Sequence, residues 1–293
     1  MAKFVIYTYQ FAPLFSDLQT QDSLFDEVIV PAKDEIMYTK QKVFTDLFKT
    51  EDAIEFRVGE EVFRHRLLLN YNGIIAFRIA NNKVVWYEEN FKVQSMPDQP
   101  SCLVLIDNRE NCQNISIQKL THSFASTDRV ARILNLAFNE HLKKHYLTME
   151  IRRRYEEKTF WNLVDKYPDG IKGIKFSFSY PNLPRVSDNV GELFVELGKQ
   201  FNASSKFELN AIEGQALNLD NNDSRLKSLV KSAGDSGLPI KVLPVQKGAR
   251  WISTGSSSCI TTEIAESSFI HEEGDIFDDR YESLAEIMNE FKK

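Results

Sequence analysis

The chain has 293 residues, 42% of them hydrophobic and 27% charged, and a formal net charge of -6. That length holds one large domain or two ordinary ones. The composition is that of a globular protein, no apolar run reaches the roughly 18 to 20 residues of a membrane helix, and the acidic balance argues against binding nucleic acid through bulk charge.

The N-terminus, "MAKFVIYTYQFAPLF", lacks the small-residue cleavage site of a leader, since Gln10 and Pro13 interrupt it early; the expected location is cytoplasmic. Cys102, Cys112 and Cys259 are too few and too irregularly spaced for a disulfide framework or a paired zinc site, so free buried thiols are expected.

"KFVIYTYQF" reads as a strand, and "KQKVFTDLFKT" as a helix with Val43, Leu47 and Phe48 on one face. "GIIAFRIANNKVVWYEENF" predicts a hairpin turning at Ala80-Asn81-Asn82, and "SCLVLIDNRENCQNISIQKL" another around residues 107–111. Thr127-Asp128 is expected to cap a long helix near 128–145, built on Val130, Ile133, Leu134, Ala137, Phe138 and Leu142. "YLTMEIRRRY" follows as a strand, and Thr159 is placed to cap a short helix ending at Pro168-Asp169-Gly170.

The remainder alternates. Strands at "IKGIKFSFSYP" and "SSKFELNAIEG", helices at "VGELFVELGKQF" and "DSRLKSLVKSAGDSG", two further strands and the terminal helix "DRYESLAEIMNEFKK" make a β-α-β-α-β-β module. The expected class is α+β: a β-rich N-terminal domain over residues 1–155, then a sandwich-like α/β domain over 156–293 with an acidic end. The boundary lies near residue 155.

Signatures of chemistry are missing. There is no GxxxxGK[ST], GxGxxG or GxSxG, and "STGSSSC" lacks the lysine a phosphate loop needs. His141 and His145 stand at i and i+4, but Lys143 and Lys144 between them would repel a cation, so no metal and no cofactor are expected. A metal-dependent nuclease would need dispersed carboxylates, Asp107, Glu150 and Glu208, with Lys172 or Lys175 nearby.

The stretch "HLKKHYLTMEIRRRYEEKTF", residues 141–160, concentrates positive charge. In a strand Arg152 and Arg154 share Glu150's side, opposite Leu147, Met149 and Ile151. With Lys143, Lys144 and Lys158 they form a candidate surface for nucleic acid or an acidic partner, with Tyr146 and Tyr155 nearby for stacking. Glu272, Glu273, Asp275, Asp278 and Asp279 form an acidic counterpart that would dock a partner.

At "PSCLVLIDNREN", "TFWNLVDKY" and "GIKGIKFSFSYPNLPR", and in the order of its elements, the chain resembles bacterial and prophage proteins of phage-bacterium conflict, including exclusion proteins of the lambda Rex A kind. The resemblance spans about two thirds of the chain. It implies a homo-oligomer that binds rather than turns over substrate, its partner being DNA or a defence or anti-defence protein complex. It makes Pro181-Asn182 and Asp107-Asn108-Arg109 structural turns. A viral inhibitor that blocks a Gabija-type nuclease assembly is one specific form of that expectation.

Overall fold

The computed structural model describes residues 2–14, 33–50, 53–110, 112–178, 201, 205–254, 260–264 and 288–289. In chain order the elements are β1 (Ala2–Pro13), α1 (Lys33–Asp46), β2 (Phe56–Val58), β3 (Glu61–Phe63), β4 (His65–Tyr71), β5 (Ile74–Ala80), β6 (Lys83–Glu89), β7 (Lys92–Asp98), β8 (Ser101–Asp107), β9 (Asn114–Gln118), α2 (Thr127–Leu142) and β10 (Leu147–Arg153). Then come α3 (Lys158–Asp165), β11 (Ile171–Phe178), β12 (Ser205–Asn210), α4 (Ser224–Asp235), β13 (Lys241–Pro244), β14 (Ile252–Ser253) and β15 (Thr261–Ile264). The protein is a mixed α+β fold. Among the described residues no helix is long and apolar enough to cross a membrane.

The chain divides into two compact units, and a single cut near residue 155 does not describe them. One holds Met1–Val5, Pro13–Ile151 and Thr261–Lys293; the other holds Ile6–Ala12 and Arg152–Ile260. The stretch "WISTGSSSCITTEIA", expected as one strand, supplies two that fall in different units. β14 pairs β13 in the second unit, while β15 pairs β1 through Ala2↔Ile264 to Val5↔Thr261 in the first.

The larger sheet has the order β10-β1-β9-β8-β5-β4, and its strands β9, β8, β5 and β4 lie wholly in the first unit. β5 and β8 are apolar nearly throughout because they lie between neighbours and are covered on both faces. The hairpin expected around residues 107–111 forms, pairing Val104↔Ile117 through Asp107↔Asn114. The one expected at Ala80-Asn81-Asn82 does not. There the Asn81 backbone N–H donates to Pro100 O at 3.0 Å and its side chain to Ser123 O at 2.7 Å, and the chain runs on into β6, which does not pair with β5. β5 pairs with β4 and β8, and β6 with β7 alone.

Helix α2 presents the expected apolar face, from Val130 to Leu142. Its cap is Ser126, one residue before the expected pair, whose hydroxyl accepts from the Arg129 amide at 3.3 Å. Phe138 meets Phe44 edge-on at 5.0 Å, and Phe77 stacks on Phe56 at 5.3 Å, forming an aromatic core. On its other side α2 serves the end strand of the sheet. Asn139 accepts from the Met149 amide at 2.7 Å and donates to Met149 O at 2.8 Å, and Asn135 accepts from the Ile151 amide at 3.1 Å. The side-chain amides thus satisfy backbone groups that an edge strand leaves open.

The second unit carries an antiparallel sheet of order β12-β11-β13-β14. Its core joins Phe160 and Trp161 of α3 to Ile174 and Phe176 of β11 and Val230 and Ala233 of α4. Thr159, expected as a cap, lies buried inside α3, whose cap position is Glu157, which makes no side-chain capping bond. Asp223 caps α4, accepting from Arg225 and Leu226 amides. The helix ends on Gly237 at φ 66, with Leu238 N–H donating to Ala233 O and Gly237 N–H to Gly234 O. This left-handed closure needs glycine, and a Cβ there would also lie 2.6 Å from Arg152 Cβ.

Candidate interaction site

The basic stretch is not one surface. Lys143, Lys144 and His145 form an exposed 3-10 turn closing α2, and Tyr146 takes a left-handed conformation at φ 56 that turns the chain into β10. A hollow of ≈ 200 Å³ lies beside this turn, lined by Glu35 and Thr39 of α1 with Lys144, His145 and Tyr146. These residues belong to the first unit, whereas Arg152, Arg154 and Lys158 belong to the second.

Within the second unit Arg154 corrects the surface reading. It is 2% exposed and paired with Asp235 at the last turn of α4. Its backbone is engaged too, the amide donating to Ile6 O at 3.0 Å and the carbonyl accepting from the Ile260 amide at 3.2 Å. A guanidinium at a helix C-terminus complements the dipole as well as the carboxylate, so this charge stabilises the fold and is withdrawn from any phosphate. Tyr155 is buried as well, with its hydroxyl donating to Leu238 O, and burial pushes its pKa upward. It offers no stacking face. Arg152 and Arg153 are half-buried, the Arg153 guanidinium lying 5.9 Å from the Tyr7 ring centroid. Lys158 is exposed and paired with Glu156.

The carboxylates considered for nuclease chemistry are each held apart. Asp107 is fully buried and takes a two-point ion pair from Arg109, Nε at 2.9 Å and Nη2 at 2.7 Å, plus the Arg109 amide at 3.1 Å. This closes the β8–β9 turn. Glu208, in the other unit, faces Lys175 across β11 and β12 at 2.7 Å and accepts from Asn210 at 3.2 Å; these bonds hold its carboxyl below the usual range. Lys175 also lies 4.6 Å from the Trp251 ring centroid. Glu150 is exposed on β10, and Lys172 on β11. No group of three or more metal-binding side chains occurs among the described residues. Burial, and then Lys144, lowers the pKa of His141. Cys102 and Cys112 are buried thiols, and burial pushes the Cys102 thiol up to about 12. Glu272, Glu273, Asp275, Asp278, Asp279, Pro181, Asn182 and Cys259 lie outside the described residues, as do most of the stretches "VGELFVELGKQF" and "DRYESLAEIMNEFKK" expected as helices.

What sequence reading passed over is the ribbon β6–β7. It forms a separate two-stranded sheet in register from Lys83↔Asp98 to Glu89↔Lys92. Asn90 and Phe91 turn it, both at positive φ, 50° and 60°, as a type I′ hairpin requires. Seven large apolar side chains on it are exposed: Val84, Val85, Trp86, Tyr87, Phe91, Val93 and Met96. Trp86 is 69%, Val93 71% and Phe91 97% open. The base is anchored, with Asn82 donating to Val62 O at 2.8 Å and Lys83 to His122 O. The signal in the sequence was the run "VVWY", apolar at successive positions and therefore on both faces, with Pro97 marking a sheet edge opposite it.

Such a ribbon is marginal in water by itself, and its apolar side chains stand exposed rather than in a core. Compared with known proteins, the chain matches no family model, no curated protein and no solved structure.

Proposed function

We propose that this chain is a non-enzymatic interaction protein of phage-bacterium conflict, acting as a homo-oligomer on a protein complex. The observation that carries the interaction reading is the β6–β7 ribbon, with its exposed apolar side chains on an anchored base. Its charges, Lys83 and Lys92 against Glu88, Glu89 and Asp98, suit a protein surface better than a phosphate backbone. The conflict setting is supported by the resemblance at "PSCLVLIDNREN", "TFWNLVDKY" and "GIKGIKFSFSYPNLPR". Blocking a Gabija-type nuclease assembly is a specific form of this proposal.

A second reading, DNA binding, has the exposed Lys143-Lys144-His145 turn in its favour. Light scattering on the purified protein across concentration, with and without short duplex and single-stranded DNA at low and moderate salt, separates the two. Protein binding predicts concentration-dependent self-association, weakened by replacing Phe91 and Val93 with serine, and no shift with DNA. A salt-sensitive shift with DNA that is lost in Lys143→Glu/Lys144→Glu would favour the second reading. A protein that stays monomeric, and whose behaviour the ribbon substitutions leave unchanged, would overturn the first.

A further inference from the structure

We propose that β6 is the strand through which two copies of this chain pair, antiparallel and centred on Trp86, joining their ribbons into one four-stranded sheet. This names the partner of the ribbon and rests on the interaction reading above.

The two edges of the ribbon differ. In a two-residue hairpin the closing pair, here Glu89↔Lys92, exchanges both hydrogen bonds, and the pattern then alternates along the strands. Tyr87, Val85 and Lys83 therefore bond across to β7. Val84, Trp86 and Glu88 turn their backbone N–H and C=O groups to the outer edge of β6. The corresponding outward positions of β7 are Val93, Ser95 and Pro97, and proline has no N–H to give. β7 is thus a blunted edge, whereas β6 has no proline anywhere from Lys83 to Glu89. Among the described residues no third strand joins the ribbon.

The β6 edge is complementary to itself. Laid antiparallel on a second copy about Trp86, Val84 meets Glu88 of that copy and Trp86 meets its counterpart, so all three outward-facing residues find backbone partners. In the same register Lys83 stands opposite Glu89 at both ends, and Val85 opposite Tyr87. Charge thus selects the antiparallel arrangement, because a parallel in-register one sets like charges together.

Two variants of the full chain test this. Val84→Pro places on β6 the same missing donor that Pro97 supplies directly opposite on β7, without touching the bonds inside the ribbon. By sedimentation velocity its dimer dissociation constant is expected to rise at least tenfold, with a thermal melt that is unchanged at a concentration below that of self-association. Trp86→Cys, in a Cys259→Ser background, is expected to give a disulfide-linked dimer on mild oxidation, because only the register centred there sets residue 86 beside its own copy. Val93→Cys, on the same face but on β7, is expected to give none. Self-association that survives Val84→Pro, with no link through residue 86, would overturn the β6 pairing while leaving an oligomeric interaction protein. A protein monomeric at every concentration would overturn both.

Discussion

Two hairpins of the first unit, β8–β9 and β6–β7, have similar strand lengths and opposite fates. β8, "SCLVLID", is buried at all but its first residue, and β9 throughout; β6, "KVVWYEE", has only Lys83 even half-buried. Apolar content does not separate them. The β8–β9 hairpin lies between β5 and β1 in one sheet, whereas among the described residues β6 and β7 pair only with each other. Burial of a strand is conferred by its neighbours, so an apolar hairpin that no described strand flanks keeps its side chains exposed.

That contrast is sharpened most by removing comparable apolar groups from each hairpin. Ile106→Ala in β8, at a fully buried site paired with Ile115, should cost about 4 kcal/mol of unfolding free energy in a urea titration. The basic stretch divides in the same way. Arg154→Ala should cost about 3 kcal/mol by leaving Asp235 without its partner in a nearly closed site, while Lys143→Ala on the exposed turn should leave the urea midpoint unchanged. Trp86→Ala on the ribbon should change monomer stability by no more than about 0.5 kcal/mol, read at a concentration below that of self-association, despite deleting a larger side chain than Ile106→Ala does. A large loss there would mean that the ribbon packs on its own chain and would break the comparison.

The smallest effect expected is one of pH. Hydrogen bonds from the Leu226 and Arg225 amides hold the Asp223 carboxyl below its ordinary value of 3.8. A folded-state pKa lower than the unfolded one adds stability that is present above pH 3.8 and is lost as pH falls through the folded value. Asp223→Asn keeps a capping oxygen but no longer titrates, so the acid limb of a stability-pH profile should flatten slightly below that pH while the neutral region stays in place.

Local pattern determined much of this protein. The strand at β1, the β8–β9 hairpin, the apolar face of α2 and the α+β class are all written in short-range periodicity, because side chains at a spacing of 2 or 3.6 residues share a face whatever surrounds them. The caps were less legible. Ser126 and Thr127 both carry a hydroxyl able to cap, and which one does so depends on where the backbone first becomes helical. Tertiary structure alone decided the rest. That Arg154 is buried while Lys143 is exposed follows from Asp235, which lies 81 residues away in sequence and beyond any local spacing rule. That the chain runs on from residues 80–82 into β6, which does not pair with β5, goes with the bonds of Asn81 to Pro100 and Ser123, and it leaves an apolar ribbon exposed. A sequence records which residues are apolar, but burial is a property of neighbours, and neighbours distant in the chain are assigned only when it folds.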